Sequence, residues 1–237
     1  MAKTVLITGG AKRIGRELAL SLASAAYNIA LHYSSSAEEA EKTAEEIRGR
    51  GVECQTFQCD LREERELLEL VPRVAGRMPE LEVLINSASI FRKGAIAETG
   101  PEFFDSHLAI NLKAPFFLSR DFAKLCRRGQ IINLLDTRVA RNDYGYAAYT
   151  LAKKALLELT RLSAREFAPG IRVNAVAPGL ILPPEGGSKE AFEKMAGKIP
   201  LRKTGGPLDV LRAVEYLLKA DFLTGQVIYV DGGEHLE

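Results

Sequence analysis

Residues 4–15 read TVLITGGAKRIG, so a short aliphatic run passes directly into a glycine-rich turn. The run predicts a buried strand over residues 4–8, and the apolar spacing after it predicts a helix over residues 14–25. Glycine at such a turn lets the backbone approach a ligand, and the helix N-terminus offers free N–H groups to an anion. A tight turn alone would also use Gly9 or Gly10, but its place after the first strand favours a pyrophosphate site.

The alternation of strand and helix patterns continues along the chain. Further strands are predicted over residues 28–32, 53–58, 81–86, 130–134, 171–177 and 226–230. Further helices are predicted over residues 37–50, 63–74, 103–125 (interrupted at Pro115), 149–167, 189–198 and 208–219. The strands are nearly continuous apolar runs, which is typical of strands buried on both faces. The sequence therefore predicts an α/β fold with one domain over residues 1–237, a doubly wound parallel sheet of about seven strands with helices on both faces.

Composition and charge exclude several classes of function. The 32 basic and 31 acidic residues give a net charge of +1, so no nucleic-acid or membrane-surface partner is expected. No apolar run approaches the ~20 residues that span a bilayer, and the N-terminus runs straight into a strand, so we expect no signal peptide and a cytoplasmic location. Cys54, Cys59 and Cys126 have no framework spacing, which predicts free thiols and no metal site.

The end of the second strand distinguishes between the two nicotinamide cofactors. Folds of this kind that bind NAD place Asp or Glu there, on the ribose 2′-hydroxyl. Here the strand ends in LHYSSS, residues 31–36, which contains no acid. A 2′-phosphate needs a cation and hydroxyl donors, which Arg13, His32 and the serines can supply. The sequence therefore favours NADPH over NADH, while the serines also suit a polar turn and a helix cap.

The third and fourth strands end at the same predicted edge. Asp60 and Leu61 follow the third strand, where they would meet an adenine ring. Residues 86–89, Asn-Ser-Ala-Ser, follow the fourth strand, and their small side chains would let a cofactor lie close.

A candidate chemical site follows the fifth strand. Tyr149 and Lys153 open a helix four residues apart and share one of its faces. A nearby ammonium is expected to lower the pKa of Tyr149, which makes the phenol a usable proton donor near neutrality. A surface pair would have the same spacing, but ligands bind at this end of a doubly wound sheet. Asp136 ends the strand, and Asn111 either widens the preceding helix or merely occupies a kink beside Pro115.

The order and spacing of these motifs resemble the short-chain dehydrogenase/reductase family over essentially the whole chain. The matching motifs are residues 8–15, residues 86–89, Asn111, residues 149–153, Pro178 with Gly179, and residues 230–233. The resemblance implies one Rossmann-type domain, a homo-oligomer that is usually a tetramer, and hydride transfer between NAD(P)H and a carbonyl, hydroxyl or C=N group.

Two departures from the family pattern resemble its pteridine reductase branch. Arg13 stands where the family's middle glycine is usual, and Asp136 stands where a serine is usual. The segment LHY, Phe91 and Tyr146 are similar to that branch as well. The resemblance implies a pterin stacked between the nicotinamide and Phe91, and residues 180–189 as the segment that sets substrate preference.

The residues and the resemblance together give three predicted sets. The catalytic set is Tyr149, Lys153, Asp136 and Asn111. The cofactor set for NADP(H) is Gly9, Arg13, Ile14, Gly15, His32, Tyr33, Ser34, Ser35, Asp60, Leu61, Asn86, Ser87, Ala88, Tyr149, Lys153, Pro178 and Gly179. The substrate set is Arg13, Ser89, Phe91, Asp136, Tyr146 and Tyr149.

These sets predict an NADPH-dependent oxidoreductase that transfers hydride to a pterin-type substrate, a dihydropteridine, dihydromonapterin or dihydrofolate. One alternative is an NADPH-dependent carbonyl reductase, such as a 3-oxoacyl thioester reductase, which Tyr149 and Lys153 fit equally well. A further alternative is a non-catalytic NADP-binding protein, since a fold alone does not establish chemistry.

Overall fold

The computed structural model describes residues 2–183 and 188–236. The strands in this part of the chain are β1 (Thr4–Ile7), β2 (Asn28–Tyr33), β3 (Cys54–Gln58), β4 (Leu81–Asn86), β5 (Gly129–Leu134), β6 (Ile171–Pro178) and β7 (Val227–Val230). The helices are α1 (Arg13–Ser24), α2 (Ala37–Arg48), α3 (Glu64–Arg77), α4 (Pro101–Leu108), α5 (Ala114–Leu125), α6 (Ala147–Glu166), α7 (Lys189–Ala196) and α8 (Pro207–Lys219).

The strands form one parallel sheet in the order β3-β2-β1-β4-β5-β6-β7. The prediction of a doubly wound parallel α/β sheet of about seven strands is confirmed. The chain builds outward from β1 to β3 and then crosses back to place β4 on the other side of β1. The switch point therefore lies between the carboxyl ends of β1 and β4, and ligands bind at such a crevice.

Both faces of the sheet are covered because successive strand residues point to opposite sides. On β1, Val5 and Ile7 pack in one apolar layer and Leu6 packs in the other. The first layer is completed by side chains of α1, α2 and α8, among them Leu18, Leu22, Ile47 and Val214. The second layer is completed by side chains of α3 and α5, among them Leu67, Leu70, Leu118 and Phe122.

The long helix predicted over residues 103–125 is widened at Asn111, as one of the two interpretations of that residue predicted, and is not interrupted at Pro115. A π-helical turn covers Ala109–Lys113 and has the buried Asn111 at its centre. Pro115 lies in the first turn of α5, directly after that π-helical turn. Asn111 rather than Pro115 therefore marks the interruption, which corrects that prediction.

Two further observations bear on the predictions. Among the helices of the described residues, none is both long enough and apolar enough to cross a membrane. Part of the segment that was expected to set substrate preference, residues 184–187, lies outside the described residues.

Candidate active site

The glycine-rich turn after β1 is shaped by two close backbone approaches. Gly9 has a φ of +65°, and a Cβ there would lie 3.0 Å from Ala88 Cα at the end of β4. A Cβ on Gly15 would lie 2.2 Å from the carbonyl oxygen of Gly9. The first turn of α1 contains no acidic residue, and its leading N–H groups have no helical acceptor. The turn can therefore hold an anionic group against the start of α1.

Arg13 adopts a φ of +53°, a left-handed conformation that costs a side-chain-bearing residue about 1–2 kcal/mol. Strain of this kind concentrates at ligand clamps. Its Nη2 donates to the carbonyl oxygen of Pro183, 2.8 Å away, so the side chain joins the phosphate turn to the segment after β6. Arg13, Ile14 and Gly15 line the main cavity, as does Lys12, which sequence reasoning missed. Lys12 is half exposed and forms an ion pair with Glu39 of α2, 2.6 Å away.

His32 is a structural link and not a phosphate donor. Its Nδ1 accepts the Gly9 amide N–H at 3.0 Å, so its Nε2 carries the proton and donates to the Cys59 carbonyl at 3.0 Å. The side chain is buried, and burial lowers its pKa to about 4, although the bond to Cys59 acts the other way. Both ring nitrogens are used and the ring is neutral, which corrects the prediction that it supplies a donor to a 2′-phosphate.

The remaining residues predicted at the adenine end lie beside the main cavity and do not line it. Tyr33 is half-buried against the apolar core, whereas Ser34 and Ser35 are exposed at the end of β2. Asp60 is paired with Arg62, and Leu61 is buried. Of this group, the two serines and Asp60 offer polar groups at the carboxyl ends of β2 and β3.

The end of β4 is fixed to β1 by a threonine hydroxyl. Thr8 Oγ1 accepts the amide N–H groups of Ser87 and Ala88, each at 3.0 Å. Ser87, Ala88 and Ser89 line the cavity, as predicted for small residues. Asn86 does not, because its buried amide points back and donates to Asn133 Oδ1 at 2.8 Å. The Asn86 side chain is therefore held inside the sheet, and its predicted contact with a cofactor stays a prediction.

The Asn111 side chain forms hydrogen bonds to the loop after β4. Its Oδ1 accepts from the Ser89 hydroxyl at 2.8 Å and from the Ile90 amide at 3.1 Å. Its Nδ2 donates to the Ile90 carbonyl at 3.1 Å. The buried side chain therefore attaches the π-helical turn to the loop that carries Phe91, and it does not itself line the cavity. The geometry gives Asn111 a positioning role, and its predicted catalytic role stays a prediction.

Tyr149, Lys153 and Asp136 meet at the carboxyl end of β5 and line the cavity together. The Tyr149 hydroxyl donates to Asp136 Oδ2 at 2.9 Å. Lys153 Nζ donates to the Leu134 carbonyl at 2.7 Å and lies 5.8 Å from the centre of the Tyr149 ring.

The pKa values of this group run opposite to the sequence prediction for Tyr149. Burial and the adjacent Asp136 carboxylate raise the pKa of Tyr149 well above its usual value, while Arg138 and Ser89 act in the opposite direction. Burial lowers the pKa of Lys153 to about 8, although Asp136 partly opposes it. The expected lowering by the ammonium is outweighed, because the carboxylate is in direct contact with the phenol and the ammonium is bonded to a carbonyl.

An aromatic wall stands beside the tyrosine hydroxyl. The rings of Phe91 and Tyr146 are stacked, with centroids 4.4 Å apart and an interplanar angle of 6°. Phe91 also contacts Tyr149 edge-on at 4.8 Å. The Gly94 N–H donates to the Gly145 carbonyl at 2.9 Å and the Ala147 N–H donates to the Gly94 carbonyl at 3.0 Å, and these bonds hold the two loops that carry the stacked rings. Phe91 is 39% exposed, so a planar ligand can reach it.

Arg138 is the main site residue that the sequence analysis missed. It lines the cavity, and its guanidinium lies 5.0 Å from the ring centres of both Phe91 and Tyr146. It also forms ion pairs with Asp136 at 3.3 Å and Asp143 at 3.0 Å. The signal was the spacing Asp-x-Arg, since the Asp136 side chain caps the short helical turn Thr137–Ala140 and thereby accepts the Arg138 amide N–H.

These groups surround one cavity of about 450 Å³, a volume suited to a small organic ligand. Pro178 and Gly179 form its floor at the end of β6, and a Cβ on Gly179 would lie 2.6 Å from Asp231 Cβ. The far wall is apolar and was not predicted residue by residue; it consists of Leu180, Ile181, Leu182, Phe192 and Met195. The cavity thus has an anion-binding end, a proton-donating centre and a planar aromatic wall.

Comparison with protein families matches residues 9–235 to the family model described as enoyl-(acyl carrier protein) reductase. The 3-oxoacyl-[acyl-carrier-protein] reductase FabG of Staphylococcus aureus is 36% identical over 244 residues, covering 100% of this chain and 99% of that protein. The FabG of Staphylococcus epidermidis is 34% identical over the same length.

Solved structures give a different set of relatives. FolM alternative dihydrofolate reductase 1 from Brucella canis, complexed with NADP, superposes with a TM-score of 0.95 at 36% identity, covering 99% of this chain and 94% of that one. A short-chain dehydrogenase/reductase mutant from Serratia marcescens superposes with a TM-score of 0.92 at 27% identity, covering 98% of each chain. The FabG of Staphylococcus aureus and the FolM of Brucella canis are each 36% identical to this chain, so overall identity does not discriminate between them.

Proposed function

The chain belongs to the short-chain dehydrogenase/reductase family, and from that premise we propose that it is an NADPH-dependent reductase of a pterin-type ring such as a dihydropteridine, dihydromonapterin or dihydrofolate. One observation carries the proposal: the Tyr149 hydroxyl donates to the carboxylate of Asp136 at 2.9 Å, beside the planar stack of Phe91 and Tyr146.

The carboxylate decides between two kinds of acceptor. Reduction of a ketone develops negative charge on oxygen, which a carboxylate in contact with the proton donor would destabilise. Reduction of a C=N bond requires a proton on nitrogen, and the protonated substrate carries positive charge that Asp136 would stabilise. Asp136 therefore favours a C=N substrate over the ketone of a 3-oxoacyl thioester.

The residues of the cleft suit NADPH. Gly9 and Gly15 pack so closely on neighbouring backbone that a Cβ on either residue would clash, and the tight turn that results would hold a pyrophosphate by its backbone amides. Lys12 and Arg13 bring two cations to this end, and the end of β2 carries serines where an acid would bind a 2′-hydroxyl. Ser87, Ala88, Pro178 and Gly179 would flank the nucleotide, with Lys153 on the nicotinamide ribose.

NADPH, when bound, supplies the hydride. The chain's own residues then supply orientation and the proton. Phe91 would hold a planar bicyclic ring against the nicotinamide, and the apolar far wall would exclude water from it. Tyr149 bears the proton that is shared with Asp136, and the pair would deliver it to the ring nitrogen next to the reduced carbon. Burial lowers the pKa of Lys153 to about 8, so its ammonium would return a proton to Tyr149 after each turnover.

A 3-oxoacyl thioester reductase is the second candidate function. The match to FabG over the whole chain supports it, as does the description of the matching family model. Tyr149 and Lys153 would serve that reaction equally well, so the two candidates differ at Asp136 and at the aromatic wall.

A substrate panel separates the two candidates. NADPH consumption would be followed by its absorbance with dihydrobiopterin, dihydromonapterin and dihydrofolate, and in parallel with an acetoacetyl thioester and simple ketones. We expect turnover with at least one pterin and little with the ketones. Turnover of the ketones alone would refute the pterin assignment, and NADPH binding without turnover of any compound would point to a non-catalytic protein.

Substitution of Asp136 tests the observation itself. Asp136→Ser should lower pterin turnover by about ten- to a hundredfold, because it removes one member of the proton-donating pair. The matched control is Asp105→Ser, which makes the same change at an exposed position on α4. Unchanged pterin turnover in Asp136→Ser would remove Asp136 from proton delivery.

We propose that the protein assembles as a homotetramer and acts in the cytoplasm, as the resemblance to the family implies. Light scattering coupled to size exclusion would measure the mass of the assembly directly, and a monomer would refute the tetramer.

A further inference from the structure

We propose that Arg138 is a positioning residue that ties the proton-donating pair Asp136 and Tyr149 to the aromatic stack of Phe91 and Tyr146. The proposal rests on the proposed function, because it takes these two residues as the proton donor and these two rings as the substrate wall.

The first half of the connection is made to Asp136. The Arg138 backbone N–H donates to Oδ1 of Asp136 at 2.8 Å, which fixes the carboxylate at the start of its turn. The Arg138 guanidinium reaches Oδ1 at 3.3 Å and Oδ2 at 3.4 Å. These distances exceed those of strong charge-assisted bonds, so the guanidinium acts on the carboxylate chiefly through its charge. Both side chains are about 15% exposed, so water screens this charge only weakly.

The second half of the connection is made to the loops that carry the rings. Arg138 Nε donates to Asp143 Oδ2 at 3.0 Å, and the other oxygen of Asp143 accepts the Gly145 amide at 2.9 Å. The guanidinium lies 5.0 Å from each of the two stacked ring centres, within the range of cation–π attraction. One cation therefore fixes both the acid and the edge of the aromatic wall.

The charge of Arg138 also bears on the proton donor. The charged and titratable groups around the pair are Arg138, Lys153, Asp143, His107 of α4, whose ring lies 6.2 Å from that of Tyr149, and the ion pair of Arg141 with Glu234. Burial and Asp136 raise the pKa of Tyr149, and Arg138 opposes that rise. Without its charge, the pair would hold its proton to higher pH.

The test separates the charge of Arg138 from its planar shape. Arg138→Leu removes both, whereas Arg138→Lys keeps the charge and loses the planar fork that stacks on rings. The control is Arg120→Leu on α5, because Arg120 has the same kinds of contact, to Asp121 at 2.7 Å and over Phe117 at 4.6 Å. The readout is the pH dependence of kcat/KM, together with KM and kcat measured separately.

We expect Arg138→Leu to lower kcat by about tenfold and to raise KM for a planar substrate by about three- to tenfold, because the acid and the rings both lose their support. Arg138→Lys should restore kcat to within about twofold of wild type, since it keeps the charge, and should leave KM raised, since it lacks the planar fork. The alkaline limb of kcat/KM should not move, because Lys153, whose pKa is about 8, titrates below Tyr149. Arg120→Leu should leave kcat and KM unchanged. Should Arg138→Leu not fold, Arg138→Gln removes the same charge and carries the same expectation.

Equal kcat and KM in wild type and Arg138→Leu would overturn the proposal, and a loss of kcat that Arg138→Lys does not restore would leave Arg138 a purely structural role. This outcome is distinct from failure of the proposed function. If the wild type reduces only ketones, the pterin assignment falls, and the same comparison of kcat made with the ketone still tests Arg138.

Discussion

His32 makes the stability of this protein depend on pH through a link that lies outside the reacting centre. Its ring accepts the Gly9 amide with one nitrogen and donates to the Cys59 carbonyl with the other. A protonated ring would have two donors and would lose the bond to Gly9. Burial therefore lowers the pKa of His32 to about 4 from its ordinary value of 6.5, with the Cys59 bond acting partly against this.

The direction of the effect follows from the lowered pKa. Between pH 6.5 and about 4 the unfolded chain binds a proton at this residue and the folded chain does not. The stabilisation is therefore complete above pH 6.5, the pKa of His32 in the unfolded chain, and is lost as pH falls through about 4, its pKa in the folded chain. A separation of roughly 2.5 units amounts to about 3 kcal/mol, of which about 2 kcal/mol is lost between about pH 7.5 and about pH 5.

Two substitutions isolate the two bonds. His32→Asn keeps an acceptor near Gly9, whereas His32→Gln keeps a donor near Cys59. At neutral pH each should lower the free energy of unfolding by about 1–3 kcal/mol, because one buried backbone group loses its partner. Each should also abolish the additional loss on acidification, since neither amide titrates. His32→Asn should bind NADPH more tightly than His32→Gln, because Gly9 belongs to the phosphate turn.

Urea unfolding at the two pH values measures the first effect, and titration calorimetry with NADPH measures the second. Other titrating groups are common to all three proteins and cancel in the comparison. If the variants lost as much stability on acidification as the wild type, His32 would not be the responsible group and the reasoning would be refuted.

Three further predictions concern the turn, the donor and the C-terminal end of the sheet. Gly15→Ala should weaken NADPH binding at least about tenfold by calorimetry, because its Cβ would meet the Gly9 carbonyl at 2.2 Å; Gly76→Ala, with nothing within 4 Å, should leave binding unchanged. Tyr149→Phe should reduce steady-state turnover by about a hundredfold or more while NADPH affinity changes little. Asp231→Asn should lower the free energy of unfolding by about 1–3 kcal/mol at neutral pH. Burial would raise the pKa of Asp231, but bonds from a hydroxyl, amides and an imidazole hold it below 3.8. The stabilisation by Asp231 is therefore present above pH 3.8 and is lost as pH falls through the pKa of the folded chain. The stabilities of variant and wild type, measured by acid unfolding, should therefore converge at low pH.

Much of the fold was predictable because its signals are local. Apolar runs of four to eight residues separated by helical patterns leave few alternatives to a parallel sheet, and β1 with its glycine turn identifies the switch point. Tyr149 and Lys153 were predictable for the same reason, since four residues on a helix return to one face. Asp136 was predictable because the last residues of a central strand meet the cleft.

The direction of individual side chains was not predictable in the same way. His32 and Asn86 both end strands at the correct edge, but their rings and amides point back toward buried backbone and side-chain groups. Which way such a residue points depends on the register of the neighbouring strand, and that register is a long-range property. Asn111 was placed near the site, but a hydrogen-bonding residue cannot be assigned to chemistry or to backbone support before its partners are known.

Asp136 and Arg138 are best understood as one unit on a single turn. A carboxylate that is 16% exposed at the reacting centre would be costly without compensation, and here the compensation comes from the residue two positions later. Because the Arg138 cation is already shared between Asp136 and Asp143, it has little capacity left to stabilise an oxyanion on a ketone substrate. This balance of charge at Tyr149 and Asp136 supports the proposal of a substrate that gains a proton at nitrogen. The FabG of Staphylococcus aureus and FolM are each 36% identical to this chain, so identity gives no reason to choose between their activities. The turn from Asp136 to Arg138 gives a physical reason to propose pterin reduction for this chain.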